Sequence, residues 1–319
     1  MRFYTVWVFF VWKNFLMKLF KKIALLRALN IKIMCWLLKH GNYRWFRWFL
    51  WFAEFVSKLG LSSRQDRKNA YVALANKQSL LNVGHKLDYV RLSQRRRLLE
   101  LSGTFGQNPQ VLAQLEACKA QLNAVIEPLH RARERVVLAP LHMVSDVLAG
   151  IVGGGVYPGK ATVIVSVGSE ITYSEEDRQR GGVNLTYCSI HDDGREIADN
   201  LMKAIIETKK NKQNIIIFPD ITPDYTMNVT TSNTKKLRCQ LFGRPANLHT
   251  GVIRIARAMS AKVVFFFLYY DDGIKINILP AVPEKDLEKK LPVIIEASIS
   301  QRADDWLLWN SHSLFFVNE

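Results

Sequence analysis

The chain has 319 residues, enough for one large domain or two ordinary ones. Hydrophobic residues make up 49% and charged residues 23%, which excludes a disordered chain. The formal net charge of +16 favours an anionic partner, and where that charge sits narrows the choice.

Residues 1–60 hold eleven Lys/Arg against one acid, Glu54. The same stretch carries six of the eight tryptophans: Trp7, Trp12, Trp36, Trp45, Trp48 and Trp51. Basic residues interleaved with bulky aromatics suit an anionic membrane surface, where Lys and Arg meet headgroups and Trp sits at the interface. Nucleic acid attracts the same charge, but binding phosphate does not require so much Leu, Ile, Phe and Trp, and no nucleic-acid partner is expected. The opening "MRFYTVWVFFVWKN" lacks the small-x-small site of a cleaved signal peptide. Lys13, Lys18, Lys21, Lys22, Arg27, Lys32, Arg44 and Arg47 break the apolar runs. No stretch therefore reaches the roughly 18–20 clean apolar residues of a spanning helix, although 3–20 and 43–60 come nearest. The expectation is a membrane-anchoring region over 1–60, made of two or three hydrophobic or amphipathic helices lying in or on the bilayer. One true span is the alternative.

Residues 61–134 form a helical lead-in to the rest of the chain. "RKNAYVALANKQSLLNVG", "LDYVRLSQRRRLLELSG" and "NPQVLAQLEACKAQLNAVIEPLH" place apolar residues at helical spacing. Asn108 and Pro109 form a cap and first-turn proline for the third helix. The run Arg95–Arg96–Arg97 reads as a solvated helix face, with headgroup or acidic-protein binding as the alternative.

From 135 onward, short β-branched runs alternate with helical stretches. Strands are expected at 135–140, 161–167, 184–189, 214–218, 262–270 and 274–279. Helices are expected at 145–153, 194–210 and 247–259. This alternation predicts an α/β domain over 61–319, with a mostly parallel central sheet flanked by helices. Cys35, Cys118, Cys188 and Cys239 have no paired spacing and read as free thiols. No metal-ligand cluster and no phosphate-binding glycine loop is visible, so neither a metal nor a bound cofactor is expected.

Sites in open α/β sheets gather beyond the carboxyl ends of strands. Two positions qualify. In "RVVLAPLHMVSDVLAGIVGG", His142 follows the strand and Asp146 comes four residues later. Such a pair can supply a general base and the carboxylate that orients it; a capped helix start with His142 filling the turn is the structural alternative. In "NIIIFPDITPDY", Asp220 and Asp224 follow a second strand, where an ordinary Asp/Pro turn is the alternative.

The order of these segments resembles the lysophospholipid acyltransferase superfamily, and within it the bacterial late acyltransferases of lipid A biosynthesis. Four segments carry the resemblance: "VVLAPLHMVSDVLAGIVGG", "IIIFPDITPDY", "LFGRPANLHTGVIRIARAMSAKVVFFFLYYDDG" and "DDWLLWNSHSLF". It spans roughly residues 65–316. What it implies is a membrane-associated enzyme of lipid, and commonly lipopolysaccharide, biosynthesis at the cytoplasmic face of the bacterial inner membrane. By the same resemblance, His142 is the general base and Asp146 orients it. Asp220, Asp224, Arg244 and His312 then contact substrate. The implied donor is a thioester, on the phosphopantetheine of acyl carrier protein or on CoA. The implied acceptor is a hydroxyl or amine of a lipid or glycolipid, and anionic membrane lipids are the surrounding partner.

The chain departs from the family pattern in three places. Three residues rather than four separate His142 from Asp146; the segment "VSVGSEITYS" lacks the family's Arg-Pro pair; and "WNSHS" lacks its usual arginines. These departures support an alternative expectation, a non-catalytic member of the fold acting as partner or scaffold in a biosynthetic assembly.

Overall fold

The computed structural model describes residues 36–42, 48, 55, 64–81, 87–165, 184–189, 194–221 and 236–311. Most of the expected anchor region, together with Asp224 and His312, lies outside these residues. Among the described residues no helix is long and apolar enough to cross a membrane.

Three helices lead into the sheet: α1 (Arg64–Leu81), α2 (Tyr89–Gly103) and α3 (Pro109–Arg131). Asp88 caps α2, its carboxylate accepting from the Arg91 N–H at 2.9 Å. Asn108 caps α3 by accepting from the N–H groups of Gln110 and Val111, with Pro109 in the first turn as the sequence predicts. Along α3, Val111, Leu115, Cys118, Leu122 and Ile126 are buried at three-to-four spacing, so one face of the helix is committed to the core.

The remaining elements in chain order are β1 (Val136–Pro140), α4 (Asp146–Gly155), β2 (Lys160–Val165), β3 (Asn184–Ser189), α5 (Gly194–Lys209) and β4 (Asn214–Ile217). There follow β5 (Lys236–Leu241), β6 (Arg244–His249), α6 (Gly251–Met259), β7 (Lys262–Tyr270), β8 (Ile274–Ile278), β9 (Val282–Pro283) and α7 (Leu287–Gln301). The seven-stranded sheet runs β3-β2-β4-β1-β7-β8, with β9 also on β7. Strands β3, β2, β4, β1 and β7 are mutually parallel; β8 and β9 pair antiparallel to β7. The expected α/β class with a mostly parallel sheet is therefore present.

Central strands covered on both faces read as unbroken apolar runs rather than alternating ones. All five residues of "VVLAP" in β1 and all four of "NIII" in β4 are buried. Alternate residues serve two layers. Val137, Ala139, Ile215, Phe265 and Phe267 pack on one side with α6 and α7. Val136, Leu138, Ile216, Val264 and Phe266 pack on the other with α3 and α4. Phe266 is fully buried in that second layer. Truncation by Phe266→Ala is expected to destabilise the domain by about 3–5 kcal/mol, measured by equilibrium denaturation.

The connectivity places a crevice at one point. From β1 the chain passes through α4 to β2, on the left of β1 in the strand order. From β4 it passes through the β5–β6 hairpin and α6 to β7, on the right. The helices α4 and α6 lie on opposite faces. The carboxyl ends of the adjacent strands β1 and β4 thus form a topological switch point, where such sheets open to ligands.

Two parts of the fold differ from the sequence reading. Residues 244–249 are strand, so α6 starts at Gly251 rather than at 247. The preceding β5 alternates exposed and covered residues and turns back through Phe242 and Gly243, both at positive φ, which makes a two-residue hairpin loop. The second difference is α7, which occupies a stretch where no element is expected. Pro292 inside it reads as a breaker, yet Leu287, Leu291, Ile295 and Ile299 are buried at every fourth position. Packing of that face outweighs the one lost backbone hydrogen bond.

Part of the expected anchor region packs on the α/β domain. Residues 36–40 are helical, and Leu38 is buried against the α3/α4 layer. The Asn108 side-chain amide donates to the carbonyls of Leu38 (2.6 Å) and Gly41 (3.2 Å). Trp36 and Leu37 face outward, 61% and 54% exposed.

Candidate active site

The register of the sheet brings His142 to Asp220. Leu138 of β1 stands beside Ile216 of β4. Four residues further along each parallel chain are His142 and Asp220. Neighbouring strands lie about 4.8 Å apart, so side chains leaving two strand ends in step meet. His142 Nδ1 and Asp220 Oδ1 are 2.7 Å apart, and the His142 backbone N–H donates to Asp220 Oδ2 at 3.0 Å.

Asp220 is fully buried. It accepts a third hydrogen bond, from the Trp306 indole N–H to Oδ2 at 3.0 Å. A buried carboxylate is tolerated only when its lone pairs are satisfied, and three donors do that here. Because an ionised carboxylate only accepts, the neutral imidazole carries its proton on Nδ1 and presents a lone pair at Nε2. Among the described residues Nε2 has no hydrogen-bond partner. The imidazole is 12% exposed and packs against the Phe218 ring, centroids 4.5 Å apart. Burial works to lower its pKa. The charge of Asp220 and the hydrogen bond to it, helped by the charge of Asp146, outweigh burial and the opposing Arg96, and the net shift is upward.

The turn carrying His142 is pinned from the C-terminal side as well. Met143 forms an antiparallel bridge with Trp306. The His142 carbonyl accepts from the Leu307 N–H at 2.8 Å, and the Val144 N–H donates to the Asp305 carbonyl at 2.9 Å. Val144 has φ 60°, in the left-handed region that a β-branched residue normally avoids. Such a conformation costs on the order of 1–3 kcal/mol and persists only where surrounding contacts over-determine it.

Asp146 occupies a different place from the one its spacing suggests. Ser145 is the N-cap of α4, its hydroxyl oxygen accepting from the Leu148 N–H at 3.1 Å, and Asp146 is the first helical residue. The sharp turn at Val144 directs the Asp146 carboxylate towards α2, where it accepts from Arg96 Nη2 at 2.6 Å. The expected His142–Asp146 pairing is therefore corrected: Asp220 holds Nδ1, and Asp146 acts on the ring through its charge. Arg96 also donates through Nε to Glu100 Oε1 at 2.8 Å, and the same oxygen accepts from the Ser145 hydroxyl at 2.8 Å. Burial raises the Glu100 carboxyl above its ordinary range, with Arg96 opposing and Asp146 adding to the rise.

The remaining candidates divide. Arg244 donates to the Ser79 hydroxyl (3.1 Å) and carbonyl (2.6 Å), a tie between β6 and the end of α1. Asp224 and His312 fall outside the described residues. Sequence reasoning did not single out Trp306, although it lies in the quoted C-terminal segment. A tryptophan carries no catalytic signature until its indole is seen against a carboxylate. It also treated the three-arginine run as one solvated face. Arg95 instead pairs with Asp305 at 2.5 Å and lies over the Tyr270 ring, fixing the loop before Trp306, while Arg96 serves Asp146 and Glu100.

Among the described residues no group of three or more His, Cys, Asp or Glu has the geometry to hold a metal. No family model matches the chain, and no curated protein matches it. A histidine with one nitrogen fixed by a carboxylate and the other unpartnered can take a proton from an incoming hydroxyl or amine.

Proposed function

We propose that the protein is a membrane-associated acyltransferase, moving an acyl or aminoacyl group from a carrier-protein or CoA thioester to a lipid-like acceptor. The single observation that carries the reading is the 2.7 Å contact between His142 Nδ1 and Asp220 Oδ1 at the sheet's switch point. The Ser145 hydroxyl donates to Glu100 instead of to the imidazole, so the dyad activates no nucleophile of its own chain there. That favours direct attack by the acceptor. In the proposed step, His142 Nε2 takes the acceptor proton, the acceptor oxygen or nitrogen attacks the thioester carbonyl, and the C–S bond breaks. The thiolate leaves with the proton returned by Nε2. The three-residue spacing between His142 and Asp146 favours a non-catalytic scaffold; the Asp220 partner of Nδ1 supports the enzymatic reading.

The setting proposed is the cytoplasmic face of a bacterial inner membrane, within lipid or lipopolysaccharide biosynthesis. Basic residues and tryptophans in 1–60 support it, as do the outward-facing Trp36, Leu37, Trp48 and Phe55. The full chain is expected to float with anionic liposomes, and Trp36→Ala with Leu37→Ser is expected to reduce the floated fraction. The enzymatic reading is tested by incubating the purified chain with acyl-carrier-protein or acyl-CoA donors and a bacterial lipid extract. Mass spectrometry should find an acceptor heavier by one acyl or aminoacyl group. Donor hydrolysis alone, or no product from any donor, removes the reading.

A further inference from the structure

A cavity of about 260 Å³ lies between α2 and Leu307, the residue after Trp306. Tyr89, Ser93 and Arg97 form one row of its wall along α2; Leu92 and Arg96 form the next, and Leu307 closes the far side. The cavity is tied to the dyad through two of these residues. Leu307 donates its N–H to the His142 carbonyl at 2.8 Å, and Arg96 holds Asp146 at 2.6 Å.

Its polar groups are unequal. Glu100, also in the wall, has its Oε1 engaged by Arg96 and Ser145. Arg96 is engaged by Glu100 and Asp146. Among the described residues neither Arg97 nor Ser93 has a hydrogen-bond or ion-pair partner, and both are exposed at the cavity. A free guanidinium with a hydroxyl one turn away offers planar, paired donors to the oxygens of a phosphate. Leu92, Leu307 and the Tyr89 ring supply apolar cover for the carbon next to it. The volume falls just below the roughly 300–1,000 Å³ of whole small-molecule pockets, which fits a head group and not an acyl chain.

We infer that this cavity binds the phosphate-ester end of one substrate, with Arg97 and Ser93 as its donors, and so sets that substrate's reactive group against His142. The inference deepens the transfer reading and rests on it only for why a phosphate should lie beside the imidazole. Two sources share this chemistry, the phosphopantetheine arm of a thioester donor and the phosphate of a lipid acceptor.

The test is equilibrium binding to the purified full chain. One arm compares 4′-phosphopantetheine with pantetheine by calorimetry. The other compares nanodiscs bearing phosphatidic acid with nanodiscs bearing a fatty acid at matched charge. One phosphorylated probe is expected to bind at least about tenfold more tightly than its control, and the arm in which it does so names the source. Arg97→Ala should erase that preference, Arg97→Lys should keep part of it, and His142→Ala should leave it intact. Arg97 is exposed, so thermal unfolding of Arg97→Ala should match the parent. A preference that survives both Arg97→Ala and Ser93→Ala, or no preference in either arm, overturns the inference. Phosphate preference without any transfer keeps the cavity and removes the transferase reading; transfer without the preference does the reverse.

Discussion

Replacing His142 with alanine is expected to cut the transfer rate by about 10²–10⁴-fold while leaving the fold and liposome binding as they were. The side chain is small, partly open to solvent and held by one hydrogen bond, so its removal leaves a modest space at a surface crevice. What it leaves behind is Asp220, which keeps the indole of Trp306 and the backbone N–H of residue 142. Two of its three donors survive, and the carboxylate is not stranded. The rate depends on the imidazole in a way the fold does not. Unassisted attack of a neutral hydroxyl on a thioester is slow. Product formation followed by mass spectrometry, with circular dichroism as the folding control, checks both halves. Turnover at the parent rate in His142→Ala would end the general-base assignment.

Changing Asp220 is expected to do more, because it serves both structure and chemistry. Asp220→Ala removes the buried acceptor of the Trp306 indole and of the His142 backbone N–H. Losing such a buried acceptor costs about 1–3 kcal/mol for each donor it served, and the denaturation midpoint should fall accordingly. Asp220→Asn keeps the volume and one acceptor oxygen for the indole and backbone donors, but it turns an NH2 donor towards Nδ1, so it removes the charge and favours the tautomer with its proton on Nε2. In the parent, the net pKa of His142 is raised above the 6.5 of a free imidazole. A base must be neutral to act, so activity should rise with pH through a midpoint above that value. Without the Asp220 charge, burial becomes the governing influence, and the midpoint should move to the acid side while the plateau rate drops. The linked stability runs the other way. A raised folded-state pKa contributes stability that is complete below pH 6.5 and lost as pH rises through the folded value. That contribution should vanish in Asp220→Asn. Asp146→Asn provides the contrast, since its carboxylate bonds Arg96 and reaches His142 only through its charge. It should shift the pH midpoint slightly and leave the plateau within a few-fold of the parent. The opposite ranking of the two asparagine variants would return the orienting role to Asp146.

The sequence by itself determined the class of the fold and half of the candidate site. Runs such as "VVLAP", "NIII" and "KVVFFFLYY" are apolar without alternation, and only strands covered on both faces sustain that composition. The helices between them follow from periodicity, and Asn108–Pro109 marks the start of α3 from local chemistry alone. His142 and Asp220 were both legible as polar residues just past strand ends. Their partnership was not. Spacing along the chain drew His142 towards Asp146, four residues away, whereas the bond is made to a residue 78 positions distant. That choice belongs to strand order and register, which place β4 beside β1 and in step with it. The remaining contacts are tertiary for the same reason. Trp306 reaches Asp220 because the segment after α7 returns to bridge Met143. Arg95 and Arg96 look alike in sequence, yet one faces Asp305 and the other Asp146. Local pattern fixes which residues lie on a strand or a helix face, because those periods are properties of the backbone. Which faces meet is decided only when the whole core packs at once, since each pairing is stabilised by burial contributed from distant parts of the chain.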